Sequence, residues 1–277
     1  MWTTLNWEQI STKSILFCVC DKGGENLLFD LIKHRSLKGE IVSLNNLEST
    51  GNWPEENLRQ VDYSRVNLSR YDLIISSTGA GNFEKEVFLS ATTLSIPSIH
   101  FLDHWSRYRE RFTIMGTFYP PESVVAFDTL SLELAVQSFP DSKIFLEENH
   151  YAQRMMKLAR LPEVNEYEWL VIDEPSPFFD VIENLDMLLK KLMNKNRVKV
   201  IYRPHPSRNN DFLKLVESLE IEISNEHDIG VDIGRAKKVL GLTSFGIYIA
   251  HLAGKSIYSV SPNETLKLLP VQKVNSI

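Results

Sequence analysis

The chain has 277 residues, 43% hydrophobic and 24% charged, with a formal net charge of −6, which is long enough for two domains of ordinary size. Its lysines and arginines are scattered, which argues against nucleic acid or an acidic membrane surface as general partners and leaves room for a small anion held locally. The first ten residues lack the basic start and apolar core of a signal peptide, and no run reaches the ~20 apolar residues of a membrane span, so a cytoplasmic protein without a transmembrane segment is expected.

Residues 14–20 form a nearly continuous apolar run, the pattern of a parallel strand covered on both faces. Cys18 and Cys20 lie on it one residue apart with their side chains on one face. That is too constrained for an ordinary disulfide, and both are expected as buried free thiols. The run stops at Asp21, Lys22, Gly23 and Gly24, after which the period of Leu27, Leu28, Leu31 and Ile32 predicts a helix. Strand, glycine turn and helix open a Rossmann-like unit, although the full dinucleotide fingerprint is missing. A tight turn explains the two glycines equally well.

A second strand is predicted at 40–44, followed by a polar segment with Trp53 and Pro54 that reads as loop. A third strand at 71–76 ends in a small-residue turn, a helix carrying Glu84 and Glu86 follows, and a fourth strand covers 98–102. These exits point to one edge of one sheet, where they gather Asp21, Gly23, Gly24, Thr78, Gly79, Gly81 and Asp103 on a common rim. Asp103 and His104 stand at the last of these exits. Trp105, Tyr108 and Phe112 then follow at the spacing of one helical face, with Arg107, Arg109 and Arg111 between them. One reading makes Asp103 or His104 the general base on an acceptor hydroxyl, with an arginine receiving negative charge. The other is an aromatic helix packed on the sheet with a solvated basic face. Strands at 124–127 and 143–146 flank a helix at 130–138, and a helical stretch at 152–160 leads into Leu161, Pro162 and Glu163.

The second half starts with a strand at 169–172 and a crossover helix with apolar positions at Val181, Ile182, Leu185, Leu188, Leu189 and Leu192. The next strand ends in Arg203, Pro204, His205, Pro206 and Ser207. Proline cannot donate to a sheet ladder, so the two prolines end the strand and fix the backbone of His205 at its carboxyl end. Arg203 beside it carries a planar cation suited to phosphate or carboxylate. A crossover at 212–219 and a short strand at 221–223 lead to a strand at 236–242, which runs into Thr243, Ser244, a helix, Gly254 and a last strand. Thr243 or Ser244 would cap that helix, whose free N–H groups make an anion site at the sheet's ligand edge. Asn263 or Glu264, just past the last strand, are candidate ribose contacts. The βαβαβ order calls for a parallel sheet. The expected domains are 1–150, a helical connection at 151–168, and 169–277.

The Arg-Pro-His-Pro strand exit followed by the Thr-Ser-Phe-Gly helix start resembles the donor half of GT-B-fold glycosyltransferases. It is most similar to bacterial surface-polysaccharide and sialyltransferase-type enzymes with a His-Pro motif, and more distantly similar to nucleotide-sugar 2-epimerases. The resemblance implies an α/β fold of two Rossmann-like domains with parallel sheets facing across a cleft, which Gly23 and Gly24 would line. It also implies that His205, Ser207, Arg203, Thr243 and Ser244 hold the nucleotide and its phosphates.

Three functions follow as expectations. The first is a glycosyltransferase moving sugar from a CMP- or UDP-linked donor to a glycan or small-molecule acceptor, with no metal and no further cofactor. Asp103 or His104 would deprotonate the acceptor, while His205 and the helix start stabilise the leaving phosphate. The second is a nucleotide-sugar 2-epimerase or hydrolase using carboxylates such as Glu84, Glu86 or Glu148. The third is a trimmed relative that binds a nucleotide sugar without turnover. Sugar, nucleobase, acceptor and oligomeric state are left open by the sequence.

Overall fold

The computed structural model describes residues 3–43, 54–79, 81–161, 165–174, 198–205, 208, 210–218, 221–259 and 261–276. The chain divides into two compact units, Met1–Tyr151 and Ala152–Ile277. Each contains its own all-parallel sheet.

In chain order, the first unit has strands β1 (Ile15–Val19), β2 (Gly39–Ser43), β3 (Leu58–Gln60), β4 (Leu73–Ser77) and β5 (Ser98–Phe101). An antiparallel hairpin of β6 (Thr113–Ile114) and β7 (Thr117–Phe118) comes next, then β8 (Ser123–Ala126) and β9 (Lys143–Leu146). The sheet runs β3-β2-β1-β4-β5-β8-β9, the Rossmann order with one strand added at the end. Every residue of β1 is buried. Ile15, Phe17 and Val19 pack with Leu28 and Ile32 of the helix Lys22–Arg35. Leu16 and Cys18 pack with Val87 of the helix Phe83–Thr93. Successive strand residues face opposite ways, so an unbroken apolar run is what a strand with helices on both faces requires.

The helix Lys22–Arg35 is started by Asp21, whose Oδ1 accepts from the Gly24 amide at 2.8 Å. Its last turn carries Lys33, His34 and Arg35, matching the negative end of the helix dipole. At the far edge, Thr3 forms a parallel bridge to Phe145 of β9. The buried Glu147 carboxylate holds the segment that follows Thr3, accepting from the Leu5 amide at 2.9 Å, the Trp7 indole at 3.1 Å and Arg35 at 3.2 Å.

The sequence reading of this unit is corrected in two places and extended in a third. The stretch read as loop around Pro54 contains β3, only three residues long with a single buried side chain, Leu58. The aromatic helix after Asp103 is a single turn, Tyr108–Arg111, entered through Arg107 at φ 56° and followed by the β6–β7 hairpin. Trp105, Tyr108 and Phe112 are nonetheless buried as a helical face would be, with Tyr108 and Phe112 in a cluster with Phe88, Leu102, Val124 and Phe139. A short helix, Trp7–Ser11, precedes β1 with Asn6 as its cap.

The second unit contains β10 (Tyr167–Ile172), β11 (Val200–Arg203), β12 (Glu222–Ile223), β13 (Ala236–Gly241), β14 (Ser256–Ser259) and β15 (Asn275–Ser276), ordered β12-β11-β10-β13-β14-β15. This too is the Rossmann order. Trp169, Val171, Val200, Tyr202 and Leu240 pack with Val216 of the helix Asn210–Ser218. The helix His150–Arg160 is fastened by Arg154 to Asp228 at 2.7 Å. It approaches the helix Ile229–Arg235 so closely that a Cβ on Gly230 would stand 2.4 Å from the Met155 carbonyl. The crossover helix expected at 181–192 lies outside the described residues.

Candidate functional site

Each sheet reverses its order beside the strand that comes first, between β1 and β4 in one unit and between β10 and β13 in the other. In open α/β sheets ligands bind past the carboxyl ends of strands at such a point.

In the first unit, Cys20 and Asp21 leave β1, Thr78 and Gly79 leave β4, and Asp103 stands beyond β5. Glu84 enters from the first turn of the helix Phe83–Thr93, and its carboxyl is buried, accepting from Cys20 Sγ at 2.9 Å and from Ser77 Oγ. A Cβ on Gly79 would lie 2.4 Å from the Asp21 carboxylate and 2.6 Å from that of Glu84. A side chain at Gly79 would have to push these two carboxylates aside. Gly24 is fixed by a similar contact, because its Cβ would fall 2.4 Å from Ser77 Cβ. Gly23 is exposed, with space for a side chain beside Asp103.

Burial, with the Asp103 charge added, pushes the Asp21 carboxyl up to about 6. Burial likewise pushes Glu84 up to about 7, against the hydrogen bonds from Cys20 and Ser77 that favour its ionised form. Burial and the Glu84 charge push the Cys20 thiol up, so it stays protonated as a donor. Asp103 pairs with Arg111 at 2.5 Å. Arg111 also donates to the Thr78 carbonyl and to the Ser106 carbonyl at 3.1 Å, which bolts the loop after β5 to the exit of β4. His104 is half-buried, its Nδ1 3.1 Å from Ser106 Oγ. The rim expected from the sequence is thus assembled, and Glu84 lies inside it. Glu86 and Glu148 are exposed.

In the second unit, His205 follows β11 and its amide donates to Asp173 Oδ2 at 3.1 Å. Asp173 also receives both arms of Arg208, at 2.6 and 2.9 Å. Burial raises the Asp173 carboxyl, but Arg208 and the His205 amide more than offset it and hold the group below the usual carboxylate range. Burial holds His205 below the ordinary imidazole value, with Asp173 pulling the other way. The ring is neutral at pH 7.

Arg203 has partners within its own unit. Its guanidinium pairs with the fully buried Asp232 at 2.5 Å and donates to the carbonyls of Glu226 and His227 at 3.0 and 3.1 Å. It braces the loop after β12. Thr243 donates its amide to Glu174 at 2.6 Å and its hydroxyl to the same carboxylate. Ser244 occupies the cap position of the helix Phe245–Leu252 without making the expected side-chain cap, and its Oγ is buried with no hydrogen-bond partner. Ser207 lies outside the described residues. Glu264 falls in the helix Pro262–Leu268, and its side chain is likewise outside them.

Sequence reasoning missed Arg208, Asp173 and Glu174 as partners of the predicted residues. Asp173 and Glu174 stand directly after β10, and their position at a strand exit is the signal that could have found them. Arg208 carries no such signal, since it reaches Asp173 from a position whose amide donates back to the His205 carbonyl at 2.9 Å. Among the described residues no group of three or more His, Cys, Asp or Glu side chains is arranged to hold a metal ion, and no helix is long and apolar enough to cross a membrane.

The sequence matches no protein-family model, and it matches no curated protein. Solved structures with a similar fold include the UDP-GlcNAc 2-epimerase of Methanocaldococcus jannaschii, at TM-score 0.63 and 14% identity, covering 95% of this chain and 88% of that one. The glycotransferase of kitacinnamycin has a TM-score of 0.59 at 10% identity, covering 96% and 86%. An Arabidopsis thaliana UGT in complex with UDP-L-rhamnose has a TM-score of 0.55 at 13% identity, covering 89% and 79%. At these identities the likeness is one of fold. The chain has a GT-B-like α/β fold of two Rossmann-like units.

Proposed function

We propose that this protein is a glycosyltransferase that uses a nucleotide-sugar donor, with the donor's phosphate received by the second unit. The observation that carries the reading is the turn before the helix Phe245–Leu252. A carboxylate, Glu174, already sits on the Thr243 amide and hydroxyl, beside the unpartnered Ser244 hydroxyl and a helix amino end. Such a turn is built to receive negative charge. A donor phosphate would displace Glu174 and take up Ser244, while the neutral His205 donates one ring N–H. In the first unit the acid pair Asp21 and Glu84, with values near 6 and 7, is suited to accept the proton of an acceptor hydroxyl near neutrality. A glycan or a small molecule is the acceptor class, and the nucleotide sugar is substrate, CMP- or UDP-linked.

A thermal-shift series with CMP-, UDP-, GDP- and CDP-linked compounds tests this. A ligand at one hundred times its dissociation constant adds about 2.7 kcal/mol to apparent stability. The expected result is a shift with one nucleotide class that Ser244→Ala and His205→Ala reduce and Glu174→Gln enlarges. Equal shifts in all four proteins would refute it.

A second reading, a nucleotide-sugar 2-epimerase, is favoured by the grouping of three carboxyls, Asp21, Glu84 and Asp103. Two of them are raised towards neutrality and able to move a proton at a sugar carbon. Release of epimerised sugar in the absence of any acceptor separates it from transfer.

A further inference from the structure

The edge of the first sheet opposite the carboxyl cluster has its own cavity, of about 260 Å³, at the amino ends of β1, β2 and β4. Lys13, Lys38 and Arg70 line it. These residues stand far apart in the sequence, and the parallel sheet gathers them at one edge because each immediately precedes a strand or nearly so. None of the three makes an ion pair among the described residues, and Lys38 and Arg70 are exposed. The carboxylates nearby are already engaged. Glu40 is paired with Arg59 and accepts from the Tyr71 hydroxyl. Asp72 accepts from the Ser14 amide at 2.9 Å. Of the charged residues that line the cavity, three are cations and one, Glu40, is a carboxylate. The remaining wall is apolar in part, with Ile15 and Tyr71 both buried.

We propose that this cavity is a second ligand site, separate from the switch points of both sheets, that takes a phosphate group, either free or as the monoester of a small molecule. Lys13, Lys38 and Arg70 receive the phosphate. Arginine offers a fork that matches two phosphate oxygens, and lysine a point charge. The organic part of a monoester lies against Tyr71 and Ile15. Because the contacts are near the surface, binding weakens with ionic strength.

The test is calorimetric titration of the full chain at low salt with inorganic phosphate, with glucose 6-phosphate, and with glucose as the uncharged control. Each is run on the wild type, on Lys38→Ala/Arg70→Ala, and on His205→Ala/Ser244→Ala. The expected result is binding of one or both phosphates but not glucose, weakened about fivefold for each cation removed and unchanged in the His205/Ser244 variant. Tighter binding of glucose 6-phosphate than of phosphate identifies a monoester site, and equal binding identifies free phosphate as sufficient. No binding, equal binding in all three proteins, or loss only in the His205/Ser244 variant would each overturn the proposal. Should the double alanine variant fold poorly by circular dichroism, the exposed Lys38→Glu reversal decides in the same way.

Discussion

Replacing Glu84 by glutamine tests the central claim about the first unit, because glutamine copies the shape and hydrogen bonding of the protonated acid and cannot ionise. The Glu84 carboxyl is raised from its ordinary 4.5 to about 7, so the folded protein holds its proton across a range where the unfolded chain has released it. The stabilisation from this group is fully present below pH 4.5. It falls as the pH rises and is gone above pH 7, for a total of about 3 kcal/mol, since each tenfold gain in proton affinity on folding is worth about 1.4 kcal/mol. Urea denaturation at pH 5 and pH 8, followed by tryptophan fluorescence to which Trp7 and Trp105 contribute from this unit, reads the difference. Wild type is expected to lose about 2–3 kcal/mol from this source between the two conditions, and Glu84→Gln to lose none of it. The variant therefore gains on the wild type at pH 8 while losing acid–base activity. Parallel stability profiles for the two proteins would refute the buried, proton-holding carboxyl and the catalytic role built on it.

Gly24→Ala forces a Cβ to within 2.4 Å of Ser77 Cβ, and a loss of about 2–3 kcal/mol in unfolding free energy is expected, largely recovered by adding Ser77→Gly. Arg111→Met leaves Asp103 without its partner and frees the loop after β5. Denaturation should show about 2–4 kcal/mol of destabilisation. The Asp21 carboxyl, which Arg111 holds down, should titrate above 6 by carboxyl-resolved NMR.

The parts of the fold legible in the sequence are those where one residue type has one physical use. The apolar run through Phe17 and Cys18 had to be a strand covered on both faces, and the prolines around His205 had to end one. The rim of Asp21, Gly79 and Asp103 followed from counting strand exits alone. What escaped were features set by tertiary contact. β3 is too short to show a period and exists because it pairs with β2. Arg203 and Arg208 are chemically alike and near in sequence, yet burial of Asp232 under one and of Asp173 under the other decides what each does. Glu84 was legible as a carboxylate, but its raised value comes from a burial that outweighs the hydrogen bonds from Cys20 and Ser77, and no local pattern records that balance. Lys13, Lys38 and Arg70 likewise look scattered along the chain and meet only once the strands are aligned.

The bridge from Thr3 to Phe145 gives the outermost strand of the first sheet a short companion, and Glu147 clamps that companion in place through Leu5 and Trp7. An unaccompanied outer strand offers its open amides and carbonyls to any other chain. Residues 3–7 therefore cover part of that edge, and removing them would leave more of the backbone of β9 open to pairing.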